Sequence, residues 1–336
     1  MKHLTDVLKS SMTSLYESIF DNDIVTRKTD PEEYIRDFLK KNYDLDLNRI
    51  TINQNKRTKE YTVDVRDSVA ANADIKSLTN GLFKFGKIIG AHTEFSCSGC
   101  DKLTSLEGAP INCNYFDCSS CDKLTSLKGA PKTCRAFRCC YCNITSLEGL
   151  PKNLEALNCE NCKNIKNLKG ISECNYIYCS YCHGLESLEG APRECEQLMC
   201  ISCRRLKSLK GAPEKCKIFS CASCNNLKNL EGAPKEVTTF RCGGCDKLKS
   251  LEGAPEVCDD FDCNACVNIT SLDGLRNTKK LRFISCAHCE KLTKVDGLKH
   301  VNDILRIQYR GCEHLQNNPF QYIKDIKPIL TDVIDS

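Results

Sequence analysis

A pair of cysteines separated by two residues recurs along most of this 336-residue chain. The first cysteines of successive pairs are 20 to 23 residues apart and stand at Cys97, Cys118, Cys139, Cys159, Cys179, Cys200, Cys221, Cys242, Cys263 and Cys286. A short unit repeated at nearly constant length is typical of a solenoid, in which each coil contacts only its neighbours. The repeat therefore predicts a row of stacked coils.

Each unit has an extended half and a turning half. The consensus reads C-x-x-F-x-C-x-x-C-x-x-L-x-S-L-x-G-A-P. In the second unit, Phe116 and Cys118 stand two residues apart with a polar residue between them, which predicts a short strand with one buried face. Two leucines then point inward, and the glycine and proline turn the chain back. Each unit is thus predicted to form one coil.

The segment "CNYFDCSSCDKL" resembles the leucine-rich repeat signature in its cysteine-containing form. Five residues stand at the core positions of that signature: Cys113, Phe116, Cys118, Cys121 and Leu124. The resemblance covers about two thirds of the chain and implies a β-rich solenoid with one parallel strand per coil. The short units are also similar in style to those of phage and gut-bacterial leucine-rich repeat proteins. That likeness implies a phage or virion-associated structural protein as an alternative function.

The regions that flank the repeat are predicted to be caps. Residues 1–75 are expected to form an N-terminal α/β cap, with an amphipathic helix over the first 20 residues, a second helix starting near Asp30, and strands in "RITIN" and "EYTVDV". Residues 76–318 are assigned to the solenoid and residues 319–336 to a short C-terminal cap. The last unit is degenerate and has Ile304, Ile307, Tyr309 and Cys312 at its core positions.

The favoured interpretation places the cysteines in the core. The first core position is cysteine in most units but Leu154, Val237 or Leu281 in others, so it is an apolar position, and free cysteine behaves as a small hydrophobe. The second cysteine of a pair, such as Cys121, replaces an asparagine that in the resembled family hydrogen-bonds the backbone at the bend. A thiol makes that bond more weakly. This interpretation needs no cofactor.

Zinc and disulfides are the two chemical alternatives. Pairs of cysteines on neighbouring coils could supply four thiolates to one zinc ion, which would give a zinc-stabilised scaffold. Zinc is disfavoured because structural zinc sites usually occur in domains too small to have a core. Disulfides between coils are disfavoured because parallel strands hold paired Cβ atoms about 4.8 Å apart, against about 3.8 Å in a disulfide. Cys140 is the single cysteine outside the repeat positions, and its register predicts an outward-facing, exposed thiol.

Composition narrows the function classes. The net charge of +4 on 92 charged residues offers no strong field, and the composition suggests scattered rather than clustered basic residues, so neither nucleic acid nor a membrane is expected as partner. The N-terminal residues do not resemble a signal peptide, so a reducing cytoplasm is expected for a chain with 28 cysteines. No catalytic motif surrounds the six histidines, which favours a chain that is not an enzyme.

Function is therefore expected on the residues that alternate with the core positions of each strand, which the resemblance places on the concave face of the solenoid. Apolar and aromatic residues cluster there, and charged residues border them. The predicted partner-binding residues are Tyr115, Asp117, Arg138, Tyr176, Tyr178, Met199, Ile201, Ile218 and Arg241. Aromatic anchors bordered by charge are typical of a protein interface, so the expected partner is another protein.

Overall fold

A computed structural model describes residues 51–54, 61–64, 94–107, 109, 113–301 and 304–315. Thirteen short strands account for nearly all of the regular structure in these ranges. They are β1 Thr51–Gln54, β2 Tyr61–Asp64, β3 Glu94–Ser96, β4 Tyr115–Asp117, β5 Ala136–Arg138, β6 Leu154–Asn158, β7 Cys174–Tyr178, β8 Glu194–Met199, β9 Lys215–Ser220, β10 Glu236–Arg241, β11 Val257–Asp262, β12 Phe283–Ser285 and β13 Arg306–Gln308. Two short 3-10 helices span Asp273–Leu275 and Asp296–Leu298.

Strands β1 and β2 pair in an antiparallel manner, with Thr51 opposite Asp64 and Gln54 opposite Tyr61. These are the two strands predicted in "RITIN" and "EYTVDV", and both are confirmed. The two predicted N-terminal helices and the predicted C-terminal cap lie outside the described residues. The boundaries proposed for the three regions stay predictions.

Strands β3 to β13 form one eleven-stranded sheet in which spatial order follows chain order. Each described pair is parallel and in register with the repeat: Phe116 lies opposite Phe137, and Cys195 opposite Cys216. A parallel ladder with one strand per coil of about 21 residues is a β-solenoid with the architecture of a leucine-rich repeat protein. The predicted fold class is confirmed for the coils.

The core lies behind the sheet and is built from the same positions in every coil. Phe116 and Phe137 stack with ring centroids 5.1 Å apart. A second stack joins Phe219, Phe240 and Phe261 at 5.4 and 5.3 Å. The cysteine pairs and the two leucines of each coil complete the buried layer. The degenerate last unit follows the same plan, because Ile304, Ile307 and Cys312 are buried and Tyr309 packs partly against them.

The bend after each strand requires an unusual backbone conformation. The second residue between the two cysteines has a positive φ in each described bend, for example +57° at Tyr141 and +77° at Gly99. This conformation aims the N–H of Tyr141 at the carbonyl of Glu160 on the next coil, 2.9 Å away. Since residues with a Cβ rarely adopt this region, each bend without glycine stores a little strain that the inter-coil hydrogen bond offsets.

The turn at the end of each coil brings neighbouring coils into close contact. At Gly129, φ is +91°, and a Cβ would lie 2.4 Å from the backbone nitrogen of Glu107 on the preceding coil. Only glycine fits there. Further along the solenoid, Leu168 donates its N–H to the carbonyl of Glu189 at 2.8 Å, so this side of the coils is also hydrogen-bonded. The glycine of the repeat therefore sets how tightly the coils stack.

Candidate functional site

From Cys121 onwards, the second cysteine of each pair makes a hydrogen bond to the preceding coil, and Cys312 does so in the degenerate last unit. Its Sγ donates to the carbonyl oxygen of the first cysteine one coil earlier, at 2.9 to 3.3 Å. The donors are Cys121, Cys142, Cys162, Cys182, Cys203, Cys224, Cys245, Cys266, Cys289 and Cys312. The predicted role of these thiols at the bend is confirmed, and we call this row of bonds the thiol ladder.

The cysteines are free, and nearly all are buried. All 28 lie within the described coils, none is in a disulfide, and Cys195 alone keeps intermediate exposure. Burial raises the pKa of Cys174 to about 11 and that of Cys258 to about 12. It also raises the pKa of Cys118 and Cys242 well above the usual value. At neutral pH these thiols are protonated, so they are poor nucleophiles and need deprotonation before they can bind a metal.

The described part of the chain contains neither a cluster of metal ligands nor a membrane-spanning helix. Within it, no three His, Cys, Asp or Glu side chains are grouped so that they could hold a metal ion. None of the helices in the same ranges has the length and apolar character that crossing a bilayer requires. Of the thiols that were candidate zinc ligands, those of the second cysteines from Cys121 onwards donate hydrogen bonds in the thiol ladder.

The prediction for Cys140 is wrong in one respect. Its side chain lies outside the hydrophobic core cluster, as its register implied, but it is only 3% exposed. Its Sγ donates to Oδ1 of Asn158 at 2.9 Å, and its N–H donates to Oγ of Ser119 at 3.1 Å. Burial raises its pKa. Side chains from the two neighbouring coils cover this thiol, so it is not an exposed reactive group.

We expect the thiols of the native protein to react slowly with a colorimetric disulfide reagent at neutral pH. After unfolding in the absence of a reductant, all 28 thiols should react. Cys174 and Cys258 have folded pKa values above the ordinary value of 9.0, so their burial stabilises the protein below about pH 9. That stability is lost as the pH rises towards 11 to 12. Fewer than 28 thiols after unfolding, or stoichiometric zinc in the purified protein, would contradict the assignment of the cysteines to the core.

The open face of the sheet is the face turned away from the core. Three predicted site residues on β4 and β5 form a polar cluster there. The Tyr115 hydroxyl accepts a hydrogen bond from Nη1 of Arg138 at 3.1 Å and donates to Oδ2 of Asp117 at 3.4 Å. Burial raises the pKa of Tyr115, and the bond to its hydroxyl raises the pKa of Arg138. Two coils are thereby joined through side chains.

Five other predicted residues form what we call the central cluster: Tyr176, Tyr178, Met199, Ile201 and Ile218. They lie on three adjacent coils, and Tyr178 is directly opposite Met199 in the strand register. All five are half-buried. Ala136 and Ala156 separate this cluster from Tyr115, so the nine predicted residues do not form one continuous patch.

Arg241 is exposed and lies apart from both clusters, on β10. It is paired in register with Asp262, and its charge partly offsets a rise in the pKa of Asp260. Burial is the main cause of that rise, and the negative charges of Asp262 and Asp259 add to it. The C-terminal border of the open face is therefore acidic, with Arg241 between the acidic border and the central cluster.

Three residues on or beside the open face were not predicted from the sequence. Gln197 lies between Tyr176 and Ile218 in the register, and the Tyr178 hydroxyl donates to its Oε1 at 3.4 Å. At the bends, Tyr141 and Tyr181 are 59% and 47% exposed although both have positive φ. Alignment of the repeat could have located them, because they occupy the bend position that is Ser120 one coil before Tyr141 and Asn161 one coil before Tyr181.

A groove of about 780 Å³ opens beside the starts of β8 to β10 and reaches Cys195 and Cys216. Charged residues line most of it, and several already pair across coils. Lys215 lies 3.1 Å from Glu236, and Lys217 lies 2.5 Å from Glu196. Most charges of this groove satisfy one another, so it is not the favoured binding site.

Comparison with known proteins shows a structural likeness but no sequence match. No protein-family model matches the chain, and no curated protein matches it in sequence. A crystal structure of a leucine-rich repeat protein from Bacteroides ovatus ATCC 8483 is similar, with 11% sequence identity, 84% of this chain and 98% of that chain covered, and a TM-score of 0.35. The solenoid architecture rests on the strand register of this chain itself, and solenoids of this class commonly mediate protein–protein interaction.

Proposed function

We propose that this protein is a non-enzymatic scaffold that binds another protein through the open face of its solenoid. The central cluster supports the proposal most directly. Five apolar or aromatic side chains lie together on the rigid sheet, half-buried among their neighbours. Aromatic and methionine side chains are enriched at protein interfaces, and a few of them supply most of the binding free energy.

The borders of the central cluster suit the same function. Arg138 and Asp117 lie on its N-terminal side, and Arg241, Asp260 and Asp262 lie on its C-terminal side. A polar rim of this kind excludes water from a central contact and selects the partner by charge.

Replacing Tyr176 and Tyr178 with serine is expected to weaken partner binding by at least about thirtyfold, since buried tyrosines at interfaces contribute about 2 kcal/mol or more. The melting temperature should barely change, because neither side chain belongs to the core cluster. The partner is first enriched on the immobilised wild-type protein and then titrated in purified form against both proteins.

The matched control replaces Tyr141 and Tyr181 with serine, which removes the same two side chains from the bend instead of the strand. Its affinity should stay within a few-fold of the wild type. Wild-type affinity in the Tyr176 and Tyr178 variant would contradict the proposal. Equal losses in both variants would move the interface from the open face to the bend.

A further inference from the structure

The charge of this protein is unevenly distributed along the solenoid. Residues 201–250 contain eleven Lys and Arg against four Asp and Glu, whereas the whole chain has a net charge of only +4. The rest of the chain is therefore net acidic. The nearly balanced net charge of the whole chain therefore hides a local excess of positive charge. The basic residues are less scattered than the composition suggested.

Six of these basic residues lie on one side of three adjacent coils, just after the bend. We call them the basic patch: Arg204, Arg205, Lys207, Lys228, Lys247 and Lys249. All six are exposed. The backbone N–H of Lys249 donates to the carbonyl of Lys228 at 3.1 Å, and Lys207 holds the same repeat position one coil earlier. Residues 21 apart in sequence thus become neighbours across coils that are about 4.8 Å apart.

At part of the turn position before the glycine, neighbouring coils carry opposite charges. At the turn before the glycine, Lys128 lies 3.3 Å from Glu107, and Lys169 lies 3.0 Å from Glu189. The basic patch instead stacks three lysines. Adjacent like charges are destabilising, so such a stack carries a small cost to the free protein.

Among the described residues, an acidic side chain pairs with only one member of the patch, Arg205. Glu186 approaches Arg205 at 4.0 Å, and Asp246 accepts a hydrogen bond from Asn225 at 2.8 Å. Lys247 donates to the neutral amide of Asn226 at 2.7 Å. The three stacked lysines form no ion pair with any described residue, so a net positive field remains for an external ligand.

We propose that the basic patch docks an acidic α-helix of a protein partner, lying along the solenoid axis. A helix rises 5.4 Å per turn, close to the coil spacing of about 4.8 Å, so one carboxylate per turn can meet one lysine per coil. Lysine side chains are flexible enough to absorb the small mismatch over three coils. The patch contains no aromatic residue on which a base could stack and no apolar residue that could enter a lipid surface, which disfavours single-stranded nucleic acid and membranes.

The test measures binding of the full-length protein to a synthetic helical peptide with glutamate on one face, at low and physiological salt. The wild type should bind, and binding should weaken as salt rises, because the contact is between exposed charges. The variant Lys207→Gln, Lys228→Gln, Lys249→Gln should bind about tenfold more weakly. A matched variant, Lys152→Gln, Lys163→Gln, Lys166→Gln, removes the same charge from exposed positions outside the patch and should bind like the wild type.

Three results would overturn this inference: no binding of the peptide, equal loss in both triple variants, or tighter binding of duplex DNA or phosphatidylserine vesicles than of the peptide. Circular dichroism of each variant confirms that it is folded. The assay uses a synthetic peptide, and the Tyr176 and Tyr178 residues of the proposed interface lie on another face of the coils. Its failure would therefore leave the proposed function of the open face untouched.

Discussion

Replacing Phe240 with alanine is expected to destabilise the protein by about 4 kcal/mol. The ring is fully buried and lies between Phe219 and Phe261, with centroids 5.4 and 5.3 Å away. Alanine leaves a cavity in the middle of this stack and removes two ring–ring contacts, each of which adds about 0.5 to 1.5 kcal/mol beyond burial. Because each coil is supported only by its two neighbours, the damage falls on the coil interfaces on both sides.

Urea denaturation followed by circular dichroism measures this loss. Phe283 provides the control, since it is 36% exposed at a strand position on the open face and its ring contacts the guanidinium of Arg282 at 5.8 Å from the centroid. Phe283→Ala should cost less than about 1 kcal/mol. A loss below about 1 kcal/mol for Phe240→Ala as well would show that the phenylalanine stack does not hold the coils together.

Replacing Cys224 with alanine is expected to cost about 2 kcal/mol, and replacing it with serine should cost less. The Cys224 thiol is fully buried and donates to the carbonyl of Cys200 at 3.1 Å. Alanine leaves that carbonyl without this donor, whereas the serine hydroxyl is a stronger donor than a thiol and can replace the bond. The order of the two variants separates a hydrogen-bonding role from a purely apolar one.

Cys242 is the matched control, because it is also fully buried but its thiol does not take part in the thiol ladder as a donor. There the order should reverse, with Cys242→Ser costing more than Cys242→Ala, because a buried hydroxyl without a partner loses its hydration. If serine were the worse substitution at both positions, the thiol ladder would add no stability and the cysteines would act only as small apolar side chains.

Much of the fold could be predicted because comparison of ten units shows which residue types each position of the coil accepts. Any position that accepts cysteine, leucine and valine in different units must be apolar, as at Cys134, Leu154 and Val237, all of which are buried. Phe116 and Cys118 alternate with polar residues and do face the core. The candidate site was harder to predict, because open-face residues do not repeat and nothing in one unit reveals its neighbours.

Cys140 shows why the rest could not be derived one unit at a time. Its register predicts correctly that it points away from the core, but its exposure depends on Ser119 and Asn158, which lie one coil away on either side. The contact between Tyr115 and Arg138 is likewise made across two coils. Side-chain burial and pairing on this surface are properties of adjacent coils, set by stacking and strand register.

The amino-acid sequence alone determined the length of the coil, the strand and bend within it, and the residues that form the core, because these depend on apolar periodicity and on glycine and proline within a single unit. Only the tertiary structure decided which side chains meet. Stacking at about 4.8 Å places residues 21 apart in contact. It brings the second cysteine of a pair within hydrogen-bond distance of the preceding coil and separates Tyr115 from the central cluster. It also places three lysines that are distant in sequence side by side in the basic patch.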